Sequence, residues 1–229
     1  MNYYSDWKRI RGCSEEAGYI SKFLDYDLET LVDLTERGPE DALEAVKVLL
    51  SIPIEHFINV ITRPYSFESK DVFQYSKLDD AIGTLCTILA FEEYSLSFEE
   101  AGKKLTNASQ QYACIEYGEN HAKTAAMLNF VSIKRDPVRK CNLIRITPLG
   151  SIAILLSDND KRELVKRLAI RNPFVKTLLF CAKQGDVDYC EIVSSALTGQ
   201  TIIRRRHNNE IIVNMILEGS PLKDRIRWH

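Results

Sequence analysis

The residues best equipped for chemistry are dispersed along this chain. The four histidines, His56, His121, His207 and His229, make no HxH or HExxH pair and fall at no Cys/His spacing that would hold zinc. No nucleophile elbow (GxSxG), phosphate loop (GxxxxGK followed by Ser or Thr) or dinucleotide turn (GxGxxG) occurs. The Gly-Lys of "EAGKKLT" lacks the upstream glycine and belongs in a helix. Metal-assisted cleavage of a phosphodiester needs carboxylates that hold a divalent cation beside the scissile phosphate. A restriction-nuclease core would supply them as Pro-Asp followed by Glu-x-Lys on a strand. The nearest string, "PEDALEAVK" with Pro39, Asp41, Glu44 and Lys47, has the wrong spacing and a helical period. A Glu–Lys pair three residues apart on a helix surface accounts for it. No catalytic residue, metal or cofactor is expected.

Cations are the other candidate. The stretch "TGQTIIRRRHNNEIIVNMIL", residues 198–217, puts Arg204, Arg205 and Arg206 in a row within a helical pattern. At 100° per residue, Ile202, Val213, Ile216 and Leu217 share one face; Arg205 and Arg206 flank it, and Arg204, Asn208 and Ile211 point away. Three consecutive arginines cannot face one groove. At most two reach a phosphate or a base edge, and the third is expected to lie over the core edge or to pair with an acid such as Glu210. A solvated or internally paired charge run is the ordinary alternative.

The whole chain has 229 residues and a formal net charge of −2, but the charge is unevenly placed. Residues 1–77 carry 9 basic and 14 acidic residues, a net of −5. Residues 78–157 carry 8 and 9, a net of −1, and residues 158–229 carry 13 and 9, a net of +4. A basic end permits nucleic-acid contact. Hydrophobic content of 45% and charged content of 27% are ordinary for a globular protein. No apolar run approaches the ~18 residues of a membrane span. The start, "MNYYSDWKRI", has no apolar signal core, so a cytoplasmic location is expected. The six cysteines then read as reduced, mostly buried thiols.

Three segments must position these residues. Residues 1–77 read as helices, from Ser14, from Pro39 and over "PIEHFINVIT", followed by an arm or linker over 63–77. Residues 78–157 read as helix, helix, turn, helix and β-hairpin. Ser97 and Glu100 form a capping box, the turn is "TNAS", the third helix is broken near Gly118, and strands run over Val131–Lys134 and Leu143–Thr147. Residues 158–229 hold four helices: one capped by Asp158, one opened by Pro173, a short one ended by Gly199, and the arginine-bearing helix. The final ten residues are too few for a second hairpin.

Three helices followed by a hairpin is the grammar of a winged helix. The segment Ile146, Thr147, Pro148, Leu149, Gly150 resembles the hydrophobic-Thr-Pro-Leu-Gly element that ends the wing in winged-helix families. Across "MLNFVS", "ITPLG" and "TIIRRR", the last two-thirds of the chain resembles the tandem winged-helix modules attached to type II restriction endonucleases. It departs from them at Asn120-His121, where relatives tend to have aromatics, and at Asn129, where they have Gly. The first 77 residues lie outside the resemblance.

The fold expected is therefore mainly α: an N-terminal helical segment, a winged helix, and a second helix-turn-helix unit. The third helix offers Gln110, Gln111, Asn120, His121 and Lys123 to a groove, since Gln and Asn suit adenine edges and Lys suits phosphate. The wing loop offers Lys134, Arg135, Arg139 and Lys140 against a single acid, Asp136. The last helix offers Arg204, Arg205, Arg206 and Asn208. The function expected is site-specific binding of double-stranded DNA, and the resemblance implies a recognition or regulatory role in restriction-modification. Its partners would then include a nuclease or methyltransferase, with a homodimer left open and no membrane. The alternatives are an endonuclease with an unrecognised active site and a protein-docking winged helix.

Overall fold

The computed structural model describes Ile20, Phe23, Leu24, Leu43, Val46, Lys47 and residues 49–76, 79–92, 95–106 and 111–229. It is mainly helical with a small three-stranded sheet. In chain order the elements are α1 (Ile54–Val60), a π-helical turn (Asp79–Thr84), α2 (Leu85–Phe91), β1 (Leu96–Ser97), α3 (Phe98–Leu105), α4 (Gln111–Met127), β2 (Val131–Asp136) and β3 (Cys141–Ile146). Then come α5 (Pro148–Ala153), α6 (Asp158–Ile170), α7 (Pro173–Gln184), β4 (Val187–Asp188), α8 (Tyr189–Val193), α9 (Gly199–Ile216), a 3₁₀ turn (Pro221–Arg225) and β5 (Ile226–Arg227). Two compact units result. One is Gln74–Lys161; the other joins Met1–Phe73 to Arg162–His229.

In the unit Gln74–Lys161, β1, β3 and β2 form an antiparallel sheet in that order. Ser97 ends β1 and caps α3. Its hydroxyl accepts from the Glu100 amide at 3.3 Å, and Glu100 Oε2 accepts from the Ser97 amide at 2.7 Å. Helix α4 is continuous through Gly118, contrary to the break expected there. The glycine serves close approach. A Cβ on Gly118 would lie 1.9 Å from the Phe98 carbonyl oxygen, and one on Gly102 would lie 1.8 Å from that of Cys114. These two glycines let α3 and α4 meet backbone to backbone.

Asn129 ends this helix in the left-handed region, at φ 61. The Phe130 amide reaches back to the Ala125 carbonyl and the Asn129 amide to the Ala126 carbonyl, both at 2.9 Å. Asparagine tolerates this conformation, so the departure from glycine leaves the turn intact. The "TPLG" segment then locks hairpin to helix. Thr147 Oγ1 accepts from the Gly150 amide at 3.0 Å and donates to the Asn129 carbonyl at 2.7 Å.

Helix α6 starts within the unit Gln74–Lys161 and is capped by Ser157 rather than Asp158: Ser157 Oγ accepts from the Asp160 amide at 3.1 Å. In the other unit, Asn172 caps α7 and Asp188 caps α8. No hairpin follows α9; the tail pairs β5 in parallel with β4. The core gathers Phe23, Leu49, Phe57, Ile61 and Phe73 with Leu168, Phe174, Leu178, Tyr189, Val213 and Ile216, all buried.

The uneven charge also has its physical explanation in this unit. Cations of the C-terminal part hold backbone carbonyls of the N-terminal part. Arg167 donates to Leu49 O at 3.0 Å, Leu50 O at 3.0 Å and Ile52 O at 2.6 Å. Lys183 donates to Ile58 O, Asn59 O and Ile61 O at 3.1, 3.0 and 2.8 Å. Arg171 holds Phe23 O at 2.8 Å, and Lys176 holds Leu24 O. Carbonyls at a helix C-terminus lack intrahelical partners and carry the negative end of the dipole, so a cation there answers both deficits. The carbonyls held by Lys183 belong to the last turn and cap of α1. Burial pushes the Lys183 amine below its ordinary range.

Candidate nucleic-acid interface

The β2–β3 hairpin pairs Val131 with Ile146 at its base and Asp136 with Cys141 at its end. Asp136 builds the turn: its Oδ1 accepts from the Val138 amide at 2.8 Å and the Arg139 amide at 3.0 Å. These bonds, the Arg139 amide first, hold its carboxyl below the usual range. Lys140 closes the turn at φ 54, in the left-handed region that glycine favours.

Lys134, Arg135, Arg139 and Lys140 are all exposed. Lys134 and Arg135 are adjacent on a strand, so they project to opposite faces of the ribbon. Among the described residues Lys134, Arg135 and Lys140 have no carboxylate partner. Arg139 does: its Nη2 lies 2.7 Å from Glu100 Oε1. Val138, at the tip, is 88% exposed. Arg145 is exposed on β3 and shares the face of Lys134 through the Ser132–Arg145 and Lys134–Leu143 pairs. A count of loop cations overlooks it; the period-two alternation of β3 would have found it.

The other candidates are placed differently. Gln111 opens α4; Gln110 lies outside the described residues, as does the "NAS" part of the expected turn. Lys123 is exposed but pairs with Glu119 at 2.6 Å, and Glu116 is exposed on the same helix. His121 cannot read a groove. It is fully buried, its Nδ1 lies 2.8 Å from the Tyr117 carbonyl, and its ring packs on Tyr75 and Tyr117 at 4.5 and 4.2 Å.

The arginine triplet divides by helical phase. Arg204 is exposed, Arg206 and Asn208 are half-buried, and Arg205 is buried at 7% exposure. Arg205 Nη1 donates to the Ser69 carbonyl and, at 3.1 Å, to the Val72 carbonyl. One turn on, buried Asn209 accepts from the Phe73 amide at 3.1 Å and donates to the Phe73 carbonyl at 2.9 Å. Arg205 is therefore withdrawn from any groove and fastens the arm over 69–73; neither Glu210 nor solvent takes it. The solvent stripe of α9 is Ile203, Arg204, His207 and Ile211.

Among the described residues, no group of three or more His, Cys, Asp or Glu side chains is arranged to hold a metal ion. Asp41 and Glu44 lie outside those residues, and Lys47 is exposed. No described helix is long and apolar enough to cross a membrane. No family model, curated protein or solved structure matches this chain.

Proposed function

We propose that the chain binds double-stranded DNA, with the unit Gln74–Lys161 acting as a winged helix whose β2–β3 hairpin is the principal contact. The order α2, β1, α3, α4, β2, β3, with β3 central in the sheet, supports the winged-helix reading. The observation that carries the function is the hairpin surface: Lys134, Arg135 and Lys140 are exposed and free of carboxylate partners among the described residues, and Lys140 keeps a cation at φ 54 where glycine is easier. A long side chain retained in that conformation costs about 1 kcal/mol and points to use outside the fold.

Helix α4 contributes less, because its exposed face carries Glu116 and the Lys123–Glu119 pair. Arg204 of α9 is a second contact point. Phosphate contacts of this kind supply affinity with little sequence choice. The restriction-modification setting, with a nuclease or methyltransferase as partner, rests on the sequence resemblance alone. A second reading, protein docking, is favoured by Ile203 and Ile211, which are 64% and 42% exposed on the solvent stripe of α9.

Fluorescence anisotropy with labelled duplexes of unrelated sequence distinguishes these readings. Changing Lys134, Arg135 and Lys140 together to Ala should weaken binding at least about tenfold on every duplex. Wild-type binding that the triple variant leaves unchanged would overturn the proposal.

A further inference from the structure

We infer that Glu100 is a resident competitor for the phosphate that Arg139 contacts, so that DNA binding by the hairpin exchanges a carboxylate for a phosphate at this arginine. The inference rests on the DNA-binding reading and deepens it by naming a residue that limits affinity. Of the four cations between 134 and 140, Arg139 is the one held by a carboxylate among the described residues, at 2.7 Å. The pair links residues 39 apart in sequence, the hairpin turn and the first turn of α3.

Glu100 is not free to swing away. Its second oxygen accepts from the Ser97 amide at 2.7 Å, which closes the capping box of α3. One carboxylate therefore has two tasks: Oε2 caps a helix and Oε1 neutralises the hairpin arginine. An incoming phosphate must part Arg139 from Glu100 and then lie beside the charge that remains. Both effects lower affinity, and both disappear with the carboxylate charge.

Glu100→Gln separates the two tasks. Glutamine is the other residue that a capping box accepts, so its amide oxygen still receives the Ser97 N–H while the charge is gone. The test measures binding of a labelled mixed-sequence duplex at low salt to the wild type, Glu100→Gln, Arg139→Gln and the double variant, with thermal melts alongside. Glu100→Gln should stay folded, melting slightly below the wild type, and bind about two- to fivefold more tightly, the worth of an exposed ion pair. Arg139→Gln should bind more weakly, and in that background Glu100→Gln should gain clearly less than it does with Arg139 present, since only the repulsion is left to remove. If the wild type binds and Glu100→Gln does not bind more tightly, the inference fails and the hairpin reading stands. An equal gain without Arg139 would show general repulsion and also overturn it. No binding by the wild type would overturn the hairpin reading, and this inference with it.

Discussion

Replacing Arg167 with Met should be among the most damaging changes to the fold and should leave the DNA contact alone. The guanidinium, 3% exposed, donates to three carbonyls at residues 49, 50 and 52 and pairs with Glu163 at 2.8 Å. Methionine keeps much of the stem's packing but donates nothing. The carbonyls of Leu49 and Ile52 are bonded in buried positions, and each buried acceptor left without a partner costs about 1–3 kcal/mol. Leu50 O and Glu163 are partly exposed and recover some hydration. The loss should therefore be about 3–5 kcal/mol, a large share of the ~5–15 kcal/mol that a domain has. Urea melts followed by tryptophan fluorescence measure it, since Trp228 packs at 5.0 Å on Tyr189 in the same unit. At temperatures where the variant stays folded, its duplex affinity should change with salt as the wild type's does. A loss below about 1 kcal/mol would refute the claim that these carbonyls depend on Arg167. A flattened salt response would refute the claim that the charge is internal.

Other outcomes follow from particular contacts. Gly118→Ala puts a methyl group 1.9 Å from the Phe98 carbonyl oxygen and should destabilise the unit Gln74–Lys161 by about 3 kcal/mol in a urea melt monitored by circular dichroism. Lys140→Gly relieves a left-handed lysine, so the melt should rise by about 0.5–1 kcal/mol while DNA affinity falls; a parallel rise in both would remove Lys140 from the interface. The Glu100 carboxyl is held below its ordinary range, chiefly by the Ser97 amide. Its stabilising effect is thus present above the unfolded value of about 4.3 and lost as pH falls through the lower folded value. The stability difference between the wild type and Glu100→Gln should shrink on acidification below about pH 5, and a difference independent of pH would contradict the assignment.

Local grammar was readable in the sequence wherever neighbouring residues set the structure. The Ser97–Glu100 capping box joins near neighbours in sequence, and the two strands expected within residues 131–147 pair outward from a short turn, Asp136 with Cys141 first. Gly118 misled because a glycine in a helical run signals either a break or a close approach, and only the partner helix decides which. The arginine triplet shows the same limit on a longer scale. Helical phase correctly set Arg204 outward, yet the partners of Arg205 are the carbonyls of Ser69 and Val72, more than 130 residues away in sequence. The +4 of the last segment looked available for DNA for the same reason. Arg167, Arg171, Lys176, Lys183 and Arg205 answer carbonyls of the first 73 residues, which composition cannot reveal. The hairpin cations were legible because a short turn between two strands has little fold to hide them in.

The salt dependence of duplex binding tests the central claim most directly. Plots of log affinity against log salt for the wild type and for the Lys134, Arg135 and Lys140 triple Ala variant should both be linear, and the variant's slope should be shallower by about 2.7, or about 0.9 for each phosphate contact removed. Parallel lines of equal affinity would mean that these three cations release no counterions, and the hairpin would not be the DNA-binding surface.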